Sequence, residues 1–187
     1  MQLKRTVVGI QTQFFPTGSN FTIPAAGVAS SSSKPGATDP AWLLFGNVKW
    51  GMEGDHKSET YMEPTPGAYA ATDKILLSKG LKGKGKLEKL SNFAYQLLWA
   101  AQPLPASATY GGAAPVAGGV YNPLSGNPIV QGWLHWQEYD GNNTLLNTVD
   151  IYVALQASGS ANRDDKPAET NVEFEVLFSN LNVGTLS

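Results

Sequence analysis

The sequence predicts a mainly β protein: a β-sandwich or barrel with one flanking α-helix and long loops or arms. The first observation is the alternation near the C-terminus. Val149, Ile151, Val153, Leu155 and Ala157 share one side with Asp150 and Gln156 opposite; Val172, Phe174, Val176 and Phe178 share one side with Glu173 and Glu175 opposite. Successive strand residues point to opposite faces, so this is the period of half-buried strands. Burying each such side chain contributes about 1.5–3 kcal/mol, a good part of a small domain's hydrophobic stabilisation. The second observation is composition: only 15% of residues are charged, against 20 glycines and 12 prolines. A chain poor in charge and rich in turn formers fits an all-β or assembly-forming protein better than a helical enzyme. The third is that a single segment carries a convincing helical period.

Taken in order, Lys4 to Phe15 reads as a first strand, with Val8 and Ile10 on one side and Gln11 and Gln13 interrupting any apolar run. Residues 24–40 follow as an arm or long loop. They are built of Ala, Gly, Pro and the serines Ser30 to Ser33, which bury too little apolar area to offset the cost of ordering on their own. Trp42 to Trp50, apolar and bounded by Pro40 and Gly51, suits a buried strand. Glu53 to Pro66 is polar and ends in the turn signal Pro64-Thr65-Pro66-Gly67, so a loop is expected there. Lys74 to Leu90 reads as one long strand or two short ones, weakened by Gly80, Gly83 and Gly85.

The helix starts at Ser91, a good N-cap, and stops before Pro103, with Ala94, Leu97, Leu98 and Ala101 on one face to pack against the sheet. Pro103 to Pro128 is again loop-like. Ile129 to Tyr139 forms a strand, Asp140-Gly141-Asn142-Asn143 a hairpin turn, and the two alternating segments complete the sheet. The length suits a single domain over 1–187, and there is no internal repeat of solenoid period.

The charge of −2 argues against a basic nucleic-acid grip. With no cysteine, disulfides, thiolate nucleophiles and thiolate-bound metals are excluded. Met1 to Thr6 lacks the apolar core of a signal peptide, and no window approaches the roughly 18 apolar residues of a membrane helix, so a soluble chain is expected.

Several motifs invite chemistry, and each has a plainer reading. Gly80, Gly85 and Lys86 match a phosphate-binding loop until its last position, where Leu87 replaces the magnesium-binding hydroxyl. A strand with Lys82, Lys84 and Lys86 along one cationic face explains the same residues, and such a stripe would pair with an acidic neighbour. His56 and His135 have no partner at a ligand spacing. Asp164 and Asp165, with Asn162, do not follow calcium-loop spacing, and a surface loop accounts for them. No Gly-x-Ser-x-Gly elbow is present. Trp133, Trp136 and Tyr139 suggest a sugar platform, yet Trp133 and Trp136 differ by an odd number and face opposite sides. Glu173 and Glu175 lie about 6–7 Å apart on one strand face, a spacing open to glycoside hydrolysis; an acidic solvent-facing surface is the simpler reading. No constellation supplies a nucleophile, a metal site or a tuned acid–base pair, so neither an enzyme nor a cofactor is expected.

The order of elements resembles the major tail tube proteins of long-tailed bacteriophages. The resemblance runs from about Trp42 to the C-terminus. It includes Trp42-Leu43-Leu44-Phe45-Gly46-Asn47-Val48, the strand from Lys79 to Leu90 leading into the Ser91 helix, and the strands Asp150 to Leu155 and Val172 to Phe178. Asn180-Leu181-Asn182-Val183-Gly184 closes it. The insertion at 24–40 departs from the shortest members. The resemblance implies a virion structural protein made in the host cytoplasm, six copies to a ring, and rings stacked into a hollow tube through which DNA passes without specific binding. Its partners would be further copies and other tail proteins at the tube ends, with no membrane. Within that reading Asp150, Glu173 and Glu175 are candidates for the lumen, where an acidic lining repels DNA phosphates. Lys82, Lys84, Lys86, Ser31, Pro35, His56 and Tyr61 are candidates for contacts between subunits. A capsid decoration protein or a carbohydrate-binding module would share much of this composition.

Overall fold

The computed structural model describes residues 6–17, 29–40, 42–87, 97–98, 102–103, 121–122, 124, 127–158 and 170–186. The protein is mainly β, and its main sheet rolls up on itself. The strands of that sheet are β1 (Gly9–Pro16), β2 (Leu43–Asn47), β3 (Trp50–Gly54), β6 (Leu81–Leu87), β9 (Ile129–Tyr139), β10 (Leu145–Ala157), β11 (Thr170–Val176) and β12 (Val183–Leu186). Their order is β2-β1-β9-β10-β11-β6-β3, and β12 also pairs with β10. All these pairings are antiparallel. The outermost strands, β2 and β3, are separated only by Val48 and Lys49. Three Cα steps of about 3.8 Å reach roughly 11 Å at most, so the two edges must come together.

The seam is closed by side chains. Val48 is fully buried, while its backbone amide, donating to the Ile10 carbonyl at 3.3 Å, continues the β1–β2 pairing. The Trp50 indole N–H donates to Thr12 Oγ1 across the gap at 3.1 Å. The single buried strand expected over Trp42 to Trp50 is therefore two strands on opposite edges. One apolar run serves both because a rolled sheet brings both edges to the same core.

That core lies inside the roll. Phe14, Phe45, Val48, Leu134, Trp136, Ile151, Val153, Leu155, Val172 and Phe174 form one cluster, which also takes in Leu97. Of the helix expected from Ser91 to Ala101, only Leu97 and Leu98 are described, both helical; the rest lies outside the described residues. The lysine–glycine strand β6 fits the core because rings fill the space its glycines leave. A Cβ on Gly83 would strike the Phe174 ring, and one on Gly85 would lie 2.5 Å from the Trp50 ring.

The alternation of β10 and β11 holds through Val176, where β11 ends. Phe178, expected on the apolar face, lies beyond the strand and is 93% exposed. Leu177 keeps the register one position further, its amide donating to the Tyr152 carbonyl at 2.8 Å. Asn182 Oδ1 accepts from the Tyr152 amide at 2.8 Å, bridging the point where β10 passes from β11 to β12. At the β9–β10 turn the Asp140 carboxylate accepts the amides of Asn142 and Thr144 at 2.8 and 2.9 Å.

The remaining described strands stand apart from the roll. β4 (Lys57–Thr65) and β5 (Ala68–Ser78) form a long hairpin, turning at Gly67 with φ of +83°. The loop expected over Glu53 to Pro66 is thus strand on both sides of Asp55 and His56. Pairing with β5, which apolar periodicity does not report, creates it. β7 (Gln102–Pro103) and β8 (Tyr121–Asn122) make a short separate pair.

Candidate functional site

The outer face of the rolled sheet divides into a covered part and an open part. Trp133 of β9, Tyr152 of β10 and Phe15 of β1 stand side by side in register and form a second buried cluster, with Ala29, Trp42 and Leu177 packed against it. Residues 29–40 and Trp42 lie over this cluster as a strap. The Trp133 indole N–H donates to the Ser30 carbonyl at 2.8 Å, Ser179 Oγ donates to the Ser31 carbonyl at 2.7 Å, and Trp42 meets Phe15 edge-on at 5.5 Å. Pro35 is buried. The end of the 24–40 arm therefore orders against its own sheet. Trp133 and Trp136 do face opposite sides, and both are buried, at 0% and 2% exposure. Neither offers a ring face to a sugar.

Asp150 lies on the same face as Glu173 and Glu175, as the alternation requires, but its surroundings differ from the open acidic face expected for all three. It is 7% exposed. Lys34 of the strap donates to Asp150 Oδ2, and His135, directly across from it on β9, lies with Nδ1 2.7 Å from Oδ1. Burial pushes the Asp150 carboxyl up, but hydrogen bonds from His135 and Lys34 outweigh it and hold the carboxyl below its ordinary value.

The open part carries the other charges. Glu173 lies opposite Lys84, and Glu175 opposite Lys82, on neighbouring β11 and β6; on the far side of β6, Glu53 is also opposite Lys82. Opposite charges in register stabilise such pairs, so this surface is mixed rather than acidic. Glu173 accepts from the Gln156 amide. At the strand's other end Lys82 and Asp55 form an exposed ion pair at 2.7 Å. Their mutual hydrogen bond lowers the Asp55 carboxyl and raises the Lys82 ammonium from their ordinary values. The stretch Gly80 to Lys86 is strand from Leu81, without the loop that would cradle a phosphate.

The hairpin is the third region. All twenty residues of its two strands are exposed, and its two faces differ in chemistry. Cross-strand pairing puts Met62 beside Ala71, Pro64 beside Tyr69 and Ser58 beside Leu76; with Thr60 and Lys74, these make an apolar face with one charge. On the opposite face Tyr61 pairs with Asp73, Glu59 with Ile75 and Glu63 with Ala70, so three carboxylates share it, with Lys57 at the base. Tyr69 is 72% exposed, Tyr61 56% and Leu76 49%. At the root, the Asp55 amide donates to the Gly80 carbonyl at 2.7 Å, and His56 Nδ1 accepts the Gly80 amide at 3.4 Å.

Of the sequence-named residues, Lys82, Lys84, Lys86, Glu173 and Glu175 come together on one surface. His56 and Tyr61 belong to the hairpin and its root, Ser31 and Pro35 to the strap, and Asp150 of β10 lies beneath it. Glu59, Glu63, Asp73, Met62, Tyr69 and Leu76 join the hairpin faces only through the β4–β5 register. Their signal was the alternation Glu59, Tyr61, Glu63 against Thr60, Met62, Pro64, which the prolines obscure. Asp164 and Asp165 lie outside the described residues, and among the described residues no group of three or more His, Asp or Glu is placed to hold a metal ion.

No family model and no curated protein matches the sequence. Among solved structures, the chain is similar to one from the cryo-EM structure of an extracellular contractile injection system, the PVC sheath-tube complex in its extended state. That similarity has 10% identity and a TM-score of 0.39 over 92% of this chain and 93% of that one. A likeness of this degree assigns no role.

Proposed function

We propose that this chain is a structural subunit that assembles with copies of itself into stacked rings, a phage-like tail tube through which DNA passes. The observation that carries this is the β4–β5 hairpin. A two-stranded hairpin is marginal in water by itself, and this one presents Met62, Tyr69 and Leu76 to solvent on one face. Contiguous exposed apolar surface of this kind marks an interaction site. With chemically different faces, the hairpin suits two different neighbouring surfaces, and a contact between unlike patches builds rings or filaments instead of closing as a dimer. The sequence resemblance to tail tube proteins adds the kind of assembly: six copies to a ring, with other tail proteins at the ends.

Glu173 and Glu175 remain the lumen candidates in this reading. Their facing lysines make the lining charge-balanced, a surface on which DNA phosphates are neither trapped nor strongly excluded. Asp150 instead fastens the strap. Concentrated purified protein viewed by negative-stain and cryo-electron microscopy tests both points. Rings or tubes with β11 facing the channel are expected; a persistent monomer at every salt concentration overturns the assembly, and β11 on the outside of a tube overturns the lumen assignment.

A further inference from the structure

One edge of β10 carries two strands, and the second of them has an open far side. β11 and β12 lie end to end beside β10, β11 against residues 153–157 and β12 against residues 147–150. β11 is flanked in turn by β6, whereas among the described residues β12 pairs with β10 alone. β6 begins only at Leu81, next to the Lys82 that faces Glu175 near the end of β11. The lane alongside β12 is therefore left by the chain that forms the hairpin.

The strand period fixes which backbone groups point into that lane. The Tyr152 amide donates to Asn182 Oδ1 and its carbonyl accepts from the Leu177 amide, so both groups of Tyr152 face the side of β11 and β12. Backbone groups alternate sides along a strand, so those of Asp150 and Thr148 face β12 and its register partners Val183 and Thr185. The Thr148 carbonyl does point there, 3.5 Å from Thr185 Oγ1. Gly184 and Leu186 then turn their amides and carbonyls away from β10, into the open lane. The surroundings are apolar: no residue from 176 to 186 is charged, and Phe178, Leu181, Val183 and Leu186 are exposed. An edge of matching chemistry lies on the hairpin. Pro64 costs β4 a donor, while β5 has no proline and carries the exposed run Ile75, Leu76 and Leu77.

We propose that the outer edge of β5 on one copy of this chain pairs with the outer edge of β12 on the next, with Ile75, Leu76 and Leu77 meeting Phe178, Val183 and Leu186. An open edge is a template for a further strand; main-chain bonds give the attraction and the side chains the fit. Within one subunit β5 and β12 are exposed along their whole length, so neither covers the other and the occupant is a second copy. The contact joins unlike edges, so it propagates instead of closing as a dimer. It runs edge to edge and leaves the outer face of β11, with Glu173 and Glu175, open. This inference rests on the assembly reading and names the two surfaces that meet.

Proline tests the edge directly. Gly184→Pro/Leu186→Pro removes the two amides that point into the lane and none that bond β10. Gly184 has no positive φ, and a Cβ there meets only Val149 and Thr148, at 3.8 and 4.0 Å. The full-length variant should unfold together with wild type in denaturant. By light scattering it should need at least about tenfold more protein to assemble, the loss of two hydrogen bonds per contact. Cysteines identify the partner strand, since the chain has none of its own. Thr185→Cys protein, mixed in turn with Ile75→Cys, Leu76→Cys and Leu77→Cys protein and oxidised once assembled, should form a disulfide between copies with at least one of the three. Mixed with Thr60→Cys, on the far strand of the hairpin, it should form none. Should the proline variant unfold early, the cysteine mixtures decide. If wild type assembles and a folded proline variant assembles at the same concentration, the pairing is wrong. It is equally wrong if Thr185→Cys links to none of the three or only to itself. If wild type does not assemble at all, the assembly reading itself fails.

Discussion

The rolled sheet and the β4–β5 hairpin are built from the same antiparallel pairing, yet one encloses a buried core between its long strands and the other buries none of its residues. In the roll, the inner face of each long strand meets the others, and Leu134, Val153 and Leu155 are fully buried. Even the outer face is sealed in its middle by the strap. In the hairpin, Tyr69, Met62 and Leu76 stay 72%, 49% and 49% exposed. Hydrogen-bonded pairing makes a strand, but only packing of a face against something else makes it contribute to stability. The roll supplies its own cover, and the hairpin waits for one.

Variants in three regions sharpen this contrast, beginning with the largest expected effect. Leu134→Ala, at the fully buried centre of β9, removes core volume that the surrounding strands cannot recover. It should cost about 2–5 kcal/mol in denaturant unfolding; a loss no larger than that of a surface change would mean the sheet does not enclose a packed interior.

Asp150→Ala comes next, at about 1–3 kcal/mol, because it strips the partner from Lys34 and His135 in an enclosed site. The same carboxylate sets an acid dependence. Its folded-state pKa lies below the ordinary value, so its stabilisation is complete above the ordinary carboxylate range and is lost as pH falls through the folded value, from about pH 4 downward. Hydrogen exchange should show residues 30–42 opening at that pH before the β9–β10 core, and Asp150→Asn should open them already at neutral pH. A strap equally protected in both proteins would show that packing of Trp42 and Ala29 alone holds it.

The smallest effect on the free subunit belongs to the hairpin. Met62→Ser/Leu76→Ser should move the melting of the monomer by no more than about 0.5 kcal/mol, while assembly is lost. If the double variant melts much earlier than wild type, the hairpin already packs on its own barrel.

The faces of β9, β10 and β11 were legible because a strand with one buried side repeats every two residues, and that parity put Trp133 and Trp136 on opposite sides. The strands β4 and the start of β5 were not legible, since both faces meet solvent and no apolar period develops. The open charged surface was half legible: the lysine stripe of β6 shows in its spacing, but the register that sets Lys84 against Glu173 depends on how two distant segments align. Nothing local to Asp150 distinguishes it from Glu173.

By itself the sequence determined the strand periods, the exclusion of thiol and disulfide chemistry, and the alternation of lysine with glycine along β6, because these depend only on residue type and on neighbours two or four positions away. The tertiary structure decided the rest. Rolling the sheet brought β2 and β3 to a common seam and gave Gly83 and Gly85 the rings that fill their space. It also laid the strap across Asp150 and left the hairpin bare. Each of those outcomes joins residues far apart in the chain, and such contacts are set by which faces the folded sheet has left to cover.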